Sequence, residues 1–193
     1  MRKLIVSQFL SLDGVMQAPG GEQEDTDGGF KYGGWTRAYW HDDIGGAFAS
    51  IMKEADALLL GRKTYVTHAE AFEPMPAGDF FGDMMNTPAK YVVSKTLEKA
   101  TWRNTTIIRD NHIAEIAKLK AAPGKNILVD GSQKLVHDLL QHDLVDELHL
   151  LLYPLLLGGG KRLFPEGAHR TFKLAHTTPY PSGVVGLRYE RAR

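Results

Sequence analysis

The chain has no cysteine. That removes a disulfide framework, a thiolate metal site and a cysteine nucleophile together. Nor does it carry an excess of either charge. Its 23 Lys and Arg balance 23 Asp and Glu, so the field that draws a protein onto nucleic acid is missing and only a local patch stays open. The longest apolar run, residues 148–157, is broken by His149, Tyr153 and Pro154 and falls short of the about 18 residues a membrane span requires. Met1 leads directly into an amphipathic strand, with no basic segment and apolar signal region. The expectation is a soluble cytoplasmic protein that binds neither nucleic acid nor membrane.

Several motifs are absent as well. No GxGxxG follows a strand, so a standard Rossmann fingerprint is missing. There is no HExxH, and His137 and His142 fall on different faces of a helix, so the eight histidines read as scattered surface residues and no metal is expected. Without GxSxG a serine hydrolase has no support. GGGKR at 158–162 looks like part of a P-loop, but its spacing is wrong and no Ser or Thr follows the lysine, which excludes NTP hydrolysis.

What is present is an ordinary globular composition over 193 residues, 43% apolar and 24% charged, read as one domain spanning 1–193. Residues 3–10 form a first strand. Residues 14–34 hold seven glycines and little periodicity, as a lid or binding loop does. A helix follows at 41–55, with Asp42 and Asp43 suited to its N-terminus and Gly45-Gly46 implying close approach by a backbone or ligand. Trp35, Tyr39 and Trp40 beside the glycine loop read as core or lid packing, or as faces for a flat heterocycle. Residues 57–60 form a strand that runs into Gly61-Arg62-Lys63-Thr64, where a helix begins. Residues 73–86 read as a loop, 91–93 as a strand ending in Ser94-Lys95-Thr96, and 105–108 as another strand. A helix capped by Asp110 or Asn111 runs to Leu119. Residues 127–129 end abruptly in Asp130-Gly131-Ser132, and a helix with Leu135, Val136, Leu139 and Leu140 on one stripe follows, capped by Ser132. Residues 145–153 are a strand, and 172–177 with 184–189 an antiparallel pair. The pattern is α/β, a mostly parallel sheet with an antiparallel C-terminal edge.

Three strand-to-helix junctions stand out, at 61–64, 94–96 and 131–134. In an α/β sheet the carboxyl ends of parallel strands lie on one edge, where ligands collect. Glycines and helix N-termini suit a pyrophosphate, and Arg62, Lys63 and Lys95 suit a further phosphate monoester. The bland alternative is three turns with surface basic residues.

The junctions, in this order, resemble the dihydrofolate-reductase-like superfamily, and within it the RibD C-terminal-domain family in a stand-alone, bacterial-type form. The resemblance runs nearly end to end through SLDG at 11–14, ADALLLGRKTY at 55–65, KYVVSKTL at 90–97, ILVDGSQKL at 127–135 and LVDELHLLLYPLLLGGGKRLF at 144–164. It implies a three-layer sandwich with a central mixed sheet of about eight strands, NADPH as hydride donor, a small-molecule substrate and commonly a homodimer. By position it implies that Gly61, Arg62 and Thr64 face the phosphate and ribose side of the cofactor. Ser94 and Lys95 hold the adenosine end, Gly131, Ser132 and Gln133 bind the pyrophosphate, and Leu135 packs beneath them. Ser11 and Asp13 open towards nicotinamide and substrate, and Asp130 stands where riboflavin-pathway reductases tend to carry a substrate-side acid. Gly158 to Gly160 read as structural. The helix carboxylate of true dihydrofolate reductases has no counterpart in register; Gly45-Gly46 lie there, with Asp42 and Asp43 up to one turn earlier. The deaminase domain and its zinc motif are absent from this sequence.

Three functions are carried forward. The first is an NADPH-dependent reductase of a small flat C=N or C=O compound of pterin or pyrimidine type, including a stand-alone riboflavin-pathway-type reductase, with Asp13, Asp42 or Asp130, or a water held by one of them, supplying the proton. The second is a nucleotide-binding protein of the same fold with lapsed catalysis. The third is a flavin-handling protein.

Overall fold

Strand β1 (Leu4–Ser11) is buried along nearly its whole length, with Leu4 and Val6 packed on one side of the sheet and Ile5 on the other. A strand apolar on both faces belongs inside a covered sheet, and β1 lies there. The computed structural model describes residues 1–192. Its further strands are β2 (Ala55–Gly61), β3 (Ala89–Val93), β4 (Thr105–Ile108), β5 (Asn126–Asp130), β6 (Glu147–Tyr153), β7 (Phe172–Pro179) and β8 (Val185–Arg191), joined in one eight-stranded sheet in the order β4-β3-β2-β5-β1-β6-β8-β7. The pairings from β4 across to β6 are parallel. Only the two involving β8 are antiparallel, at the C-terminal edge.

Helices α1 (Asp42–Lys53), α2 (Arg62–Phe72) and α3 (Phe80–Asn86) cover one face through Met52, Tyr65, Ala69 and Met85, against Ile5, Leu58 and Leu60. Helices α4 (His112–Ala121) and α5 (Gln133–Gln141) cover the other through Ile116 and the stripe Leu135, Val136, Leu139 and Leu140, against Val6, Ala57 and Leu59. The three-layer α/β sandwich with its mixed sheet is therefore as expected. Residues 148–153 of the apolar run lie in β6, an interior strand paired on both sides. No helix among the described residues is long and apolar enough to cross a membrane.

Some local expectations are corrected. Residues 73–86 are not all loop, since α3 occupies the second half. Asp79 starts it by accepting the Gly82 N–H at 2.7 Å, and the missing Cβ of Gly82 admits Met75. Prolines and glycines on either side hid this seven-residue helix. Asn111 precedes α4 in the left-handed region and contributes no side-chain cap. Gly45 is approached by the Trp40 ring rather than by backbone, and Gly46 has no protein atom close to it among the described residues. Trp35 and Tyr39 pack edge-on against buried Tyr153 in a third apolar cluster, whose closeness pushes the Tyr153 phenol up to about 12.

Candidate active site

Strands β3, β2 and β5 are parallel neighbours, so the three junctions lie side by side on one sheet edge. Two of them interlock. The Ser132 hydroxyl accepts the Gly61 N–H at 2.8 Å, and the Thr64 hydroxyl accepts the Ser132 N–H at 3.0 Å. Gly131 and Ser132 are both left-handed, with φ of 66° and 64°. Gly131 has to be glycine for a second reason: a Cβ there would lie 2.8 Å from Thr64 Cγ2 and 2.9 Å from its Oγ1. Ser132 was expected to cap α5 with its side chain, but that hydroxyl is turned to Gly61 instead. As a result α5 begins without a side-chain cap, as α2 does after Gly61, and the two helix N-termini lie side by side. Such a junction can hold an anion.

The remaining cofactor-side positions surround this lock. Arg62 and Lys95 are exposed and make no ion pair among the described residues. Ser94 is buried and its hydroxyl accepts N–H groups of Thr96 and Leu97, so it holds the turn that presents Lys95. Gln133 donates from Nε2 to the Arg162 carbonyl at 2.9 Å, and Leu135 lies in the core below.

The three candidate acids are placed very differently. Asp13 accepts the Ser11 hydroxyl at 2.6 Å and the N–H groups of Leu157 and Gly158, and the Ser11 bond leads the causes that hold its carboxyl below the ordinary range. It fastens the β1 exit to the segment after β6. Asp42 is exposed at the start of α1, where Asp43 uses its N–H on His41 Nδ1. Asp130 is enclosed at the tip of β5, and His68 Nε2 lies 2.9 Å from its Oδ2.

His68 was not singled out by the sequence, which read the histidines as surface residues; His68 and His149 are instead mostly enclosed and paired with carboxylates. Its signal was available, because Thr64 and His68 are one turn apart on the same face of α2. Other residues missed by the sequence build the glycine-rich loop at 14–34. Buried Gln17 accepts the Lys161 N–H and donates to the carbonyls of Asp25 and Asp27. Asp25 and Asp27 then share two cations, Lys63 at the start of α2 and Lys161 after the glycine triplet, at 2.5–2.9 Å. Hydrogen bonds from Lys161 and then Lys63 hold Asp27 down at about 2. Glu24 accepts the N–H groups of Gly20 and Gly21, and burial pushes its carboxyl up against those bonds, within electrostatic reach of His68 and Asp130. A cleft of about 590 Å³ opens between the lid residues Asp27 to Tyr32, Gln133 and Gly159 to Lys161.

The fold has counterparts. The Bacillus subtilis (strain 168) protein YyaP is 29% identical over 192 residues, covering 97% of this chain and 94% of YyaP. A Shewanella sp. PV-4 protein named for riboflavin biosynthesis shares the fold at 22% identity and a TM-score of 0.76, with 99% of each chain covered. So does dihydrofolate reductase from Enterococcus faecalis, solved with NADP(H), at 16% identity, a TM-score of 0.65, and coverage of 99% and 97%. From residue 2 to residue 186, through every junction described above, the sequence matches the RibD C-terminal domain, and the chain belongs to that family.

Proposed function

We propose that this protein is an NADPH-dependent reductase of a small, flat heterocycle of pterin or pyrimidine type. The observation that carries the reading is the lock between Gly61, Thr64, Gly131 and Ser132, which sets two uncapped helix N-termini beside Arg62. The residues fit the cofactor. A pyrophosphate would take the N–H groups of the Gly131–Gln133 turn that Thr64 does not already hold, and exposed Arg62 and Lys95 would take the 2′-phosphate that separates NADPH from NADH. Family membership supports the reductase class, and the E. faecalis neighbour with NADP(H) supports the cofactor. When bound, the nicotinamide supplies a hydride. The chain's own part is to hold the phosphates, close residues 14–34 over the site and deliver a proton.

The test is a titration with NADPH and NADH followed by tryptophan fluorescence, on wild type and Arg62→Ala. The expected result is at least a tenfold preference for NADPH, about 1.4 kcal/mol, that collapses in the variant. Equal losses for both nucleotides in Arg62→Ala would sink the phosphate assignment.

A second reading, a nucleotide-binding protein with lapsed catalysis, is favoured by the engagement of Asp13 with three donors and by the exposure of Asp42. It expects tight NADPH binding with no turnover of dihydrofolate or of a pyrimidine substrate.

A further inference from the structure

We propose that His68 is the proton donor of the reduction and Asp130 its positioning residue, an assignment that rests on the reductase reading above. The two residues are brought together by the same turn that builds the cradle. Thr64 holds the Ser132 N–H, and His68, one turn further along the same face of α2, meets Asp130, two residues earlier on β5. The proton carrier and the phosphate-binding turn therefore share two rigid elements, a strand end and a helix.

The imidazole has a defined orientation. Phe72 packs against it edge-on at 5.6 Å and Trp102 at 6.4 Å between centroids, and Asp130 accepts from Nε2. Its Nδ1 has no hydrogen-bond partner among the described residues and is not sealed from solvent. The side chain is 16% exposed and that of Asp130 22%, enough for one ligand atom to reach the ring and too little for bulk water to surround it. Asp130 faces it from β5 and Glu24 from the lid; Gln8 on β1 steadies the turn by donating from Nε2 to the Gly131 carbonyl at 2.9 Å.

Reduction of a C=N bond adds a hydride to carbon, the part a reduced nicotinamide supplies, and leaves the π electron pair on nitrogen. That nitrogen takes the Nδ1 proton of the His68 imidazolium. The N–H bond of the ring breaks, the product N–H bond forms, and the imidazole is left neutral with its remaining proton on Nε2 towards Asp130, which stays a carboxylate. Water through the lid restores the lost proton. Because Asp130 holds Nε2–H, Nδ1 is always the nitrogen that changes state.

The experiment uses the full chain in three measurements. In ¹⁵N-imidazole spectra without cofactor, taken at a pH high enough to populate the neutral ring, the neutral form of wild-type His68 is a single tautomer with its proton on Nε2, and that of Asp130→Asn is a mixture; a mixture in wild type overturns the pairing. With NADPH and dihydrofolate, His68→Gln lowers kcat about a hundredfold while NADPH affinity stays within about threefold. Asp130→Asn lowers kcat about tenfold with KM unchanged, and Asp130→Glu recovers part of it. Wild-type turnover in His68→Gln overturns the proposal. Loss of NADPH binding by wild type itself defeats the reductase reading, whereas binding with turnover that ignores His68 defeats this inference alone. Should His68→Gln fail to fold, the tautomer comparison and the Asp130 series decide.

Discussion

Glu147, on β6, has 2% of its side chain exposed and takes hydrogen bonds from Lys3 at 2.5 Å, His149 at 2.8 Å and Arg188 at 3.0 and 3.2 Å. Burial works to raise this carboxyl, but the donors outweigh it and hold Glu147 at about 2. A value below the ordinary 4.5 means that the carboxylate stabilises the fold fully above that pH, and that the contribution is lost as pH falls towards 2. Glu147→Gln is expected to lose about 2 kcal/mol at pH 7, less than a fully buried pair would, because half-exposed Lys3 and Arg188 regain water. Urea midpoints at pH 7 and pH 3 check this, with the gap between wild type and variant narrowing at the lower pH. Lys90 is the opposite case. It is fully buried with its ammonium 4.6 Å from the Trp102 ring centre, and burial pushes it down to about 8. Its folded value lies below the unfolded one, so stability rises as pH climbs from about 8 towards 10.5. Lys90→Met is expected to abolish that rise, measured as Tm against pH, and to leave the protein at least as stable at pH 7. In the sequence these residues are a Glu and a Lys on alternating strands; that each lies inside depends on neighbours such as Arg188 and Trp102 that no local pattern names.

At the scale of elements, the critical contact is between the turn after β5 and the first turns of α2. Gly131→Ala places a methyl against Thr64 in a left-handed backbone, and is expected to destabilise by about 2 kcal/mol and to weaken NADPH at least tenfold. Calorimetry and the fluorescence titration read the two effects separately. If stability falls while NADPH affinity is unchanged, the lock is structural and the cofactor lies elsewhere. Much of this element was legible: an apolar run ending at Asp130-Gly131-Ser132 and a helical stripe of leucines predict strand, turn and helix from periodicity alone. The role of Ser132 was not legible. A serine before a helix is ordinarily its cap, and only the adjacency of β2 and β5 gives its hydroxyl a stronger claimant in the Gly61 N–H. The miss at α3 has a similar origin, since a seven-residue helix flanked by proline and glycine has too few periodic positions to be seen and is held by its tertiary contacts.

Over the whole molecule, the loop at 14–34 is attached to the sheet edge by apolar packing of Val15 and Phe30, by a bridge from Val15 to Arg162, and by charge. Asp25 and Asp27 bridge Lys63 to Lys161 across three distant segments. In Asp25→Asn with Asp27→Asn, amide hydrogen exchange across residues 20–34 should speed several-fold while Tm falls modestly, because Asp27 and Lys63 are exposed and only Asp25 and Lys161 are partly enclosed. High salt should reproduce the effect in wild type. Exchange unchanged by both would show that the Gln17 bonds and the packing of Val15 and Phe30 hold the loop without help from these ion pairs. The sequence by itself determined most of the strands and the faces of the longer helices, because apolar runs and the 3.6-residue period are written locally. It also placed the glycine-rich junctions at strand ends. Only the tertiary structure decided which ends became neighbours, and so set His68 on Asp130 and Lys161 on Asp25. Those meetings join residues 62 and 136 positions apart. They are fixed by strand order and chain crossover, properties of the assembled sheet that leave no periodic trace in the chain.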